Sequence, residues 1–553
     1  MATSLPAILA LLFVTVRAST FLGAHPMVEM VAMPTEEVEQ ALFAELSAFT
    51  LDQDGRVRSL EQELRALFSA MPKNDYGNLD PTVVRYALHR YFAHKYGWHL
   101  RGLEPAGGVW NSTATSSIMK DRAPSYIQSL MEERMHGQGL GLHELAIFAA
   151  TLMDLIGQEA VSELETVYAA LKVPEYGDVS SHALDHILKM YLSAYIQGVH
   201  VVDKSHPLEY RKMEEDLAQT YMAWVDTKTW AQDLRRSLDF THRAQRNPFV
   251  QDYTFDYAAK VAQEMGHRFG AFQNLECRAL KEKLVEMEHG GSGRVTLAKF
   301  YSGIDDRDWP FIESVEYLRN LGALDETDPS RPSVVIPNFL GSPSNCIAPS
   351  SFYSVCCIDE CEGLFAQVEL MIGEPSATWA RLAQVISGLE SDTVEAPRNL
   401  SSAQLSRLDE IAAYHKGRIP LHGRLFAQWM HHAYPRECRF PHVAGTMNPL
   451  NMNDFAKQFG LDAEASDEEI LEHTINATSM EMDVEAMMLP WVPSEELISP
   501  HRQGRGAPEL EAGASSALRA LLLLAAIASV ALPMVRATKK LRPVGDKSER
   551  LLV

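Results

Sequence analysis

Apolar residues recur at three- and four-residue spacing along most of the first 300 positions, the pattern of amphipathic helices. Residues 34 to 70 open on Pro34-Thr35-Glu36-Glu37, a helix start signal, and carry Leu42, Leu46 and Phe49 on one face. A pattern then repeats one hundred residues later. Leu64, Leu67, Phe68, Met71, Tyr76-Gly77, Leu79, Val84, Leu88 and Tyr91 align with Leu164, Val167, Tyr168, Leu171, Tyr176-Gly177, Val179, Leu184, Leu188 and Tyr191. Each copy reads as helix, Tyr-Gly turn, branched apolar residue, helix. Tyr126 to Ile156 gives another such unit around Gly137, Gly139 and Gly141, and Cys277 to Tyr301 a further one around Gly290, Gly291 and Gly293.

Residues 203–260 continue as charged helical sequence with Trp224 and Trp230. From Asp305 the texture changes. Pro310, Pro329, Pro332, Pro337, Pro343 and Pro349 interrupt the helices, and Ser333 to Pro337 predicts a short strand. Helical periodicity resumes after Pro397, with Ser401 or Ser402 as its cap.

The two ends predict a membrane topology. Met1 to Ser19 is a short apolar run closing on Val16-Arg17-Ala18, the form of a cleaved signal peptide. Ala520 to Val535 is apolar apart from Ser529 and Pro533, and Arg519 and Arg536 flank it. The residues beyond carry Arg536, Lys539, Lys540, Arg542, Lys547 and Arg550, a basic flank that places the tail in the cytoplasm. The expected organisation is signal peptide 1–18, helical domain 19–200, helical region 201–304, a Cys/Pro/His-containing and mostly helical domain 305–490, stalk 491–516, transmembrane helix 517–535 and basic tail 536–553. The localisation this implies is a type I single-pass protein of the plasma membrane or another secretory-pathway membrane.

Composition then narrows the function. The 553 residues are 46% apolar and 22% charged, an ordinary globular balance, with a formal charge of −23. That field repels phosphate backbones and argues against a nucleic-acid partner. Six cysteines (Cys277, Cys346, Cys356, Cys357, Cys361 and Cys438) lie on the expected lumenal side, where disulfides form. Fifteen pairings are open. Adjacent Cys356 and Cys357 point apart in any regular element, so each needs its own partner. The sequons at Asn111, Asn399 and Asn476 accord with secretion.

Two constellations suggest chemistry. His422, His431, His432 and His442 surround Cys438, a group that either ligates a metal or packs as core with Leu425, Phe426 and Trp429. Thr50 to Glu61 has the length of a calcium loop, with oxygens on Asp52, Asp54 and Glu61 and a turn at Gly55. The alternative for that stretch is a capped helix–helix turn. No HExxH pair, G-x-S-x-G elbow, phosphate loop or dinucleotide fingerprint occurs.

The helix–turn–helix units resemble degenerate EF-hands, the helix–loop–helix calcium-binding superfamily, over roughly residues 35–200 and 255–303. The resemblance implies a mainly α fold, an EF-hand-like ectodomain and loops that associate in pairs. Gly139 and Gly177, 38 residues apart, stand near the usual spacing of such a pair. Asp52, Asp54 and Glu61 would then hold one weakly bound Ca²⁺. In the Gly293 loop Glu288 takes the first ligand position and Val295 the cross-loop contact, while Lys299 stands where the closing carboxylate belongs. The expected function is a membrane-anchored, non-enzymatic surface or secretory-pathway protein whose scaffold binds a protein partner. The alternative is a secretory-pathway enzyme with its site in the Cys/His-rich 340–445 region.

Overall fold

The computed structural model describes residues 54–100, 103, 139–198, 207–221, 223–243, 253–288, 290–302, 311–350, 353–475 and 489–498. The signal, transmembrane and tail segments, Asp52, Asn111 and Asn476 lie outside them; of the expected stalk, residues 491–498 are described, and Trp491 and Ile498 pack on the body instead of forming a free linker. The described chain is mainly helical, with short strands of two or three residues.

Its building unit is a helix, a tight turn, one β-bridge residue and a second helix capped by the residue after the bridge. Helix α1 (Asp54–Ala70) passes through Leu79 into α2 (Pro81–Tyr96), which leads into strand β1 (Trp98–Leu100). Helix α3 (Leu142–Ala170) passes through Val179 into α4 (Ser181–Gln197). Helices α5 (Pro207–Thr220) and α6 (Trp224–Arg243) follow, and Tyr253 leads into α7 (Phe255–Met287). The caps follow the rule for exposed helix amides: Ser180 accepts from the Ala183 N–H and Thr254 from that of Tyr257. At α2, Asp80 makes no side-chain cap and Pro81 supplies the pre-set φ instead.

The bridge residues join units in pairs. Leu79 and Leu140 exchange both backbone hydrogen bonds, at 2.9 and 3.0 Å, and Val179 and Tyr253 do the same at 2.9 Å. The Gly139 and Gly177 turns therefore do not pair with each other, as their sequence spacing had implied. They sit at opposite ends of α3, a continuous 29-residue helix about 44 Å long.

Beyond α7 the same unit recurs. Strand β2 (Arg294–Thr296) leads into α8 (Leu297–Ser302); α9 (Val315–Asn320) leads through β3 (Leu324–Asp325) and β4 (Ser333–Val335) into α10 (Ile336–Leu340). β2 and β3 flank β4, with Val295 opposite Val334, and β4 occupies the predicted strand. After β5 (Tyr353–Val355), antiparallel to β1, come α11 (Glu360–Ile372), β6 (Ser376–Ala377) and α12 (Trp379–Ser387). Then follow α13 (Ser402–Tyr414), β7 (Ile419–Pro420), α14 (Arg424–Ala433), α15 (Met452–Phe459) and α16 (Asp467–Ile475). Ala377 pairs with Ile419, and Glu313 with Glu464. Ser401 opens α13 with a complete capping box to Gln404.

Three apolar cores result. The first packs α1 to α6 with the N-terminal half of α7; the second packs α11 to α14; the third packs the C-terminal end of α7 with α8 to α10 and α15. Helix α7 is the spine. Tyr257, Val261 and Phe269 enter the first core and Leu280 and Leu284 the third, so the packing does not divide at residue 304. At Gly270 the spine touches the carbonyl of Tyr96 so closely that a methyl group would collide with it.

All six cysteines are paired: Cys277–Cys357, Cys346–Cys356 and Cys361–Cys438. The adjacent cysteines do go to separate partners, and the Pro-rich segment is clamped to the helix bearing Cys277. Among the described residues α3 is the one helix long and apolar enough to cross a membrane, and it is mostly buried against α1, α4 and α7.

Candidate functional site

Of the residues expected to hold calcium, Asp52 lies outside the described residues. The first helix begins at Asp54 and runs without interruption through Glu61, so the two positions are separated by seven residues of helix, about 10 Å of backbone rise. Glu61 pairs with Nδ1 of His143. In the Gly293 loop, Glu288 Oε2 accepts from the Gly293 N–H at 3.1 Å, as a turn-closing ligand would. Its other oxygen is taken by the Arg436 guanidinium, whose Nε lies 2.8 Å away. A fixed guanidinium thus stands beside the first ligand position, and Lys299 is exposed.

The histidine group is dispersed too. His431 donates from Nδ1 to the Cys438 carbonyl at 2.7 Å, and His442 bonds the Gly322 carbonyl at 2.7 Å. Cys361 and Cys438 are bonded to each other. Among the described residues no group of three or more His, Cys, Asp or Glu side chains is arranged to hold a metal ion.

The most concentrated chemistry lies where α2 meets α11. Tyr86 and Arg90, four apart, share one face of α2, and Glu362, Phe365 and Glu369 share one face of α11. Arg90 is 4% exposed and binds both glutamates through Nε and Nη1. The rings of Tyr86 and Phe365 sandwich its guanidinium carbon at 5.6 and 5.4 Å. His422, from the turn before α14, accepts from Arg90 at Nδ1 (3.4 Å) and turns Nε2 toward Glu369 at 3.5 Å. Burial, reinforced by Arg90, holds this imidazole neutral, its pKa well below the ordinary value. Burial pushes the Glu362 carboxyl up to about 7 against the pull of Arg90, and raises Glu369 as well. One cation, two carboxyls and a neutral imidazole form a network between the first and second cores.

A second polar seam joins all three cores. Lys281 of α7, 5% exposed, binds Glu360 and lies 3.4 Å from Glu437. Glu437 also accepts from Ser391 at 3.1 Å and Thr393 at 2.6 Å. A small cleft of about 30 Å³ runs alongside, next to the Cys277–Cys357 bridge. A larger one, about 210 Å³, lies between the Gly322 turn, Asn338, His442 and the segment Leu489–Val492.

Sequence reasoning did not single out Arg90, Glu362 or Glu369. The local signal was weak: Arg90 lies with Val83, Tyr86 and Ala87 on the side of α2 away from the Val84, Leu88 and Tyr91 stripe, where a charge reads as solvent-facing until α11 covers it. No family model, curated protein or solved structure matches this chain.

Proposed function

We propose that the protein is a non-enzymatic binding scaffold of EF-hand-like pairs, carried at a secretory-pathway membrane as a type I single-pass protein. The observation that carries this reading is the cross-paired unit with its ion positions given to other groups. Four residues past the bridge residues of the paired units, where a calcium loop places its bidentate glutamate, stand Val83, Ala183, Tyr257, Lys299, Tyr317, Asn338, Arg381 and Gly423. Glu144 and Glu468 are the exceptions. Arg436 supplies by a fixed covalent route the positive charge that Glu288 would otherwise take from solution. Disulfides and helix packing then stabilise an arrangement that ions stabilise in calcium-binding relatives of the motif.

A protein partner is the ligand proposed for the scaffold. In the 340–445 region the groups the enzyme reading relied on are engaged elsewhere: His431 bonds the Cys438 carbonyl, His422 faces Arg90, and Cys361 and Cys438 are bonded to each other. The test is a calcium titration of the purified full chain by calorimetry and thermal melting. The expected result is no binding heat and an unchanged melting temperature at millimolar Ca²⁺. Saturable binding with a rise of several degrees would overturn the scaffold reading.

A further inference from the structure

Ten residues near the C-terminal side, Leu489 to Ile498, run across the molecule in extended form without belonging to any helix or strand. They reach the first and second cores. Leu489, Pro490 and Val492 line the cleft beside Asn338 and His442, Trp491 packs on the second core, and Ile498 is buried in the first.

Side chains and amides of the α13–α14 pair grip this segment. Arg424, 6% exposed, gives its guanidinium to the carbonyls of Ser494 (2.6 Å) and Val492, and donates its backbone N–H to Glu496 O at 3.0 Å. Glu495, its side chain 5% exposed, accepts from the Leu425 N–H at 3.1 Å and pairs with His415. Glu496 accepts from the Ala444 N–H at 3.0 Å. Leu497 forms a β-bridge with Gly423, and the Arg407 guanidinium lies 5.0 Å from the Trp491 ring centre. Helix α14 has no cap of its own, since Gly423 offers no side chain; Glu495 supplies that acceptor from seventy residues away. The hydrogen bonds to Arg424 read extended backbone, while Trp491, Glu495, Glu496 and Leu497 supply the side-chain recognition. That is the division of labour in peptide recognition.

We propose that this face of the α13–α14 pair is a peptide-binding groove, filled in the isolated molecule by the chain's own 489–498 segment. Its partner is a protein presenting an extended, proline-containing acidic segment of the same pattern, Trp-Val-Pro-x-Glu-Glu-Leu, which displaces the internal copy. The proposal names a partner class for the scaffold reading and rests on it. Its test involves no calcium, so the two fail separately.

The test uses the full chain in detergent and a fluorescent peptide spanning Leu489 to Ile498. In the intact wild-type chain the groove is occupied, and the peptide should bind weakly. In the Glu495→Lys, Glu496→Lys chain the internal segment loses its anchors, and the same peptide should bind at least tenfold more tightly, the loss expected for charged hydrogen bonds. A peptide carrying Glu495→Lys should bind that opened chain roughly 10–100-fold more weakly than the wild-type peptide. In a second arm, a protease site placed between Ser479 and Met480 is cut. The 480–553 piece should stay with the body on gel filtration and leave when excess peptide is added, with the body's melting temperature maintained. Equal binding to the wild-type and opened chains, absence of binding to both, or release of the piece only on unfolding would overturn the proposal.

Discussion

At the scale of single residues, the energetics are concentrated in charges removed from water. Arg90 compensates two buried carboxyls at once, so its removal leaves both without a counter-charge. Arg90→Met should destabilise the protein by about 3–5 kcal/mol in chemical denaturation, the usual cost of breaking a buried pair from one side. Histidines give the complementary prediction. Burial pushes His431 down to about 3, so the folded state keeps it neutral where the unfolded chain takes up a proton. A depressed histidine contributes stability that is whole above pH 6.5 and declines as pH falls toward 3. Replacing it with a non-titrating side chain removes that dependence. The destabilisation caused by His431→Gln should therefore shrink by up to about 2 kcal/mol between pH 7.5 and pH 5, measured by urea unfolding at both values.

At the scale of elements, the turns decide which glycines matter. Gly293 adopts φ +71°, and a methyl group there would collide with the Pro435 carbonyl. Gly373 has nearly the same backbone, φ +67°, with nothing within 4 Å. Gly373→Ala should cost about 1–2 kcal/mol, the strain of the left-handed region alone. Gly293→Ala should cost more than about 4 kcal/mol, because the turn must also part from the Pro435 loop. Equal losses in thermal melts would contradict this account of the Gly293 turn. Much of the unit was legible in the sequence: the apolar spacing, the glycine turn and the branched residue are all local signals, whereas the Ser180 and Thr254 caps and the unit entered at Tyr253 were found only in the structure. The pairing was not. Leu79 chooses Leu140 and Val179 chooses Tyr253 because α3 holds its two ends apart, and that geometry has no local signature. Likewise, neither Arg436 beside Glu288 nor Glu495 at the start of α14 is visible until segments well over fifty residues apart are brought together.

At the scale of the whole molecule, the first and third cores share one long helix, and the 489–498 segment reaches the first and the second. The bridges lie near the junction of the cores. Cys277 on the spine meets Cys357, Cys346 and Cys356 fasten the neighbouring loop, and Cys361–Cys438 closes the second core. Closure of the loops from Cys277 to Cys357 and from Cys361 to Cys438, 80 and 77 residues in separation, contributes a few kcal/mol each through the unfolded chain. Such bracing requires an oxidising compartment. Both parts of the account meet in one measurement: disulfide mapping of the native full chain, purified from secretory-pathway membranes, by non-reducing peptide mass spectrometry. The account predicts Cys277–Cys357, Cys346–Cys356 and Cys361–Cys438 with no free thiol. Any other connectivity among the six, or six reduced cysteines, would contradict it.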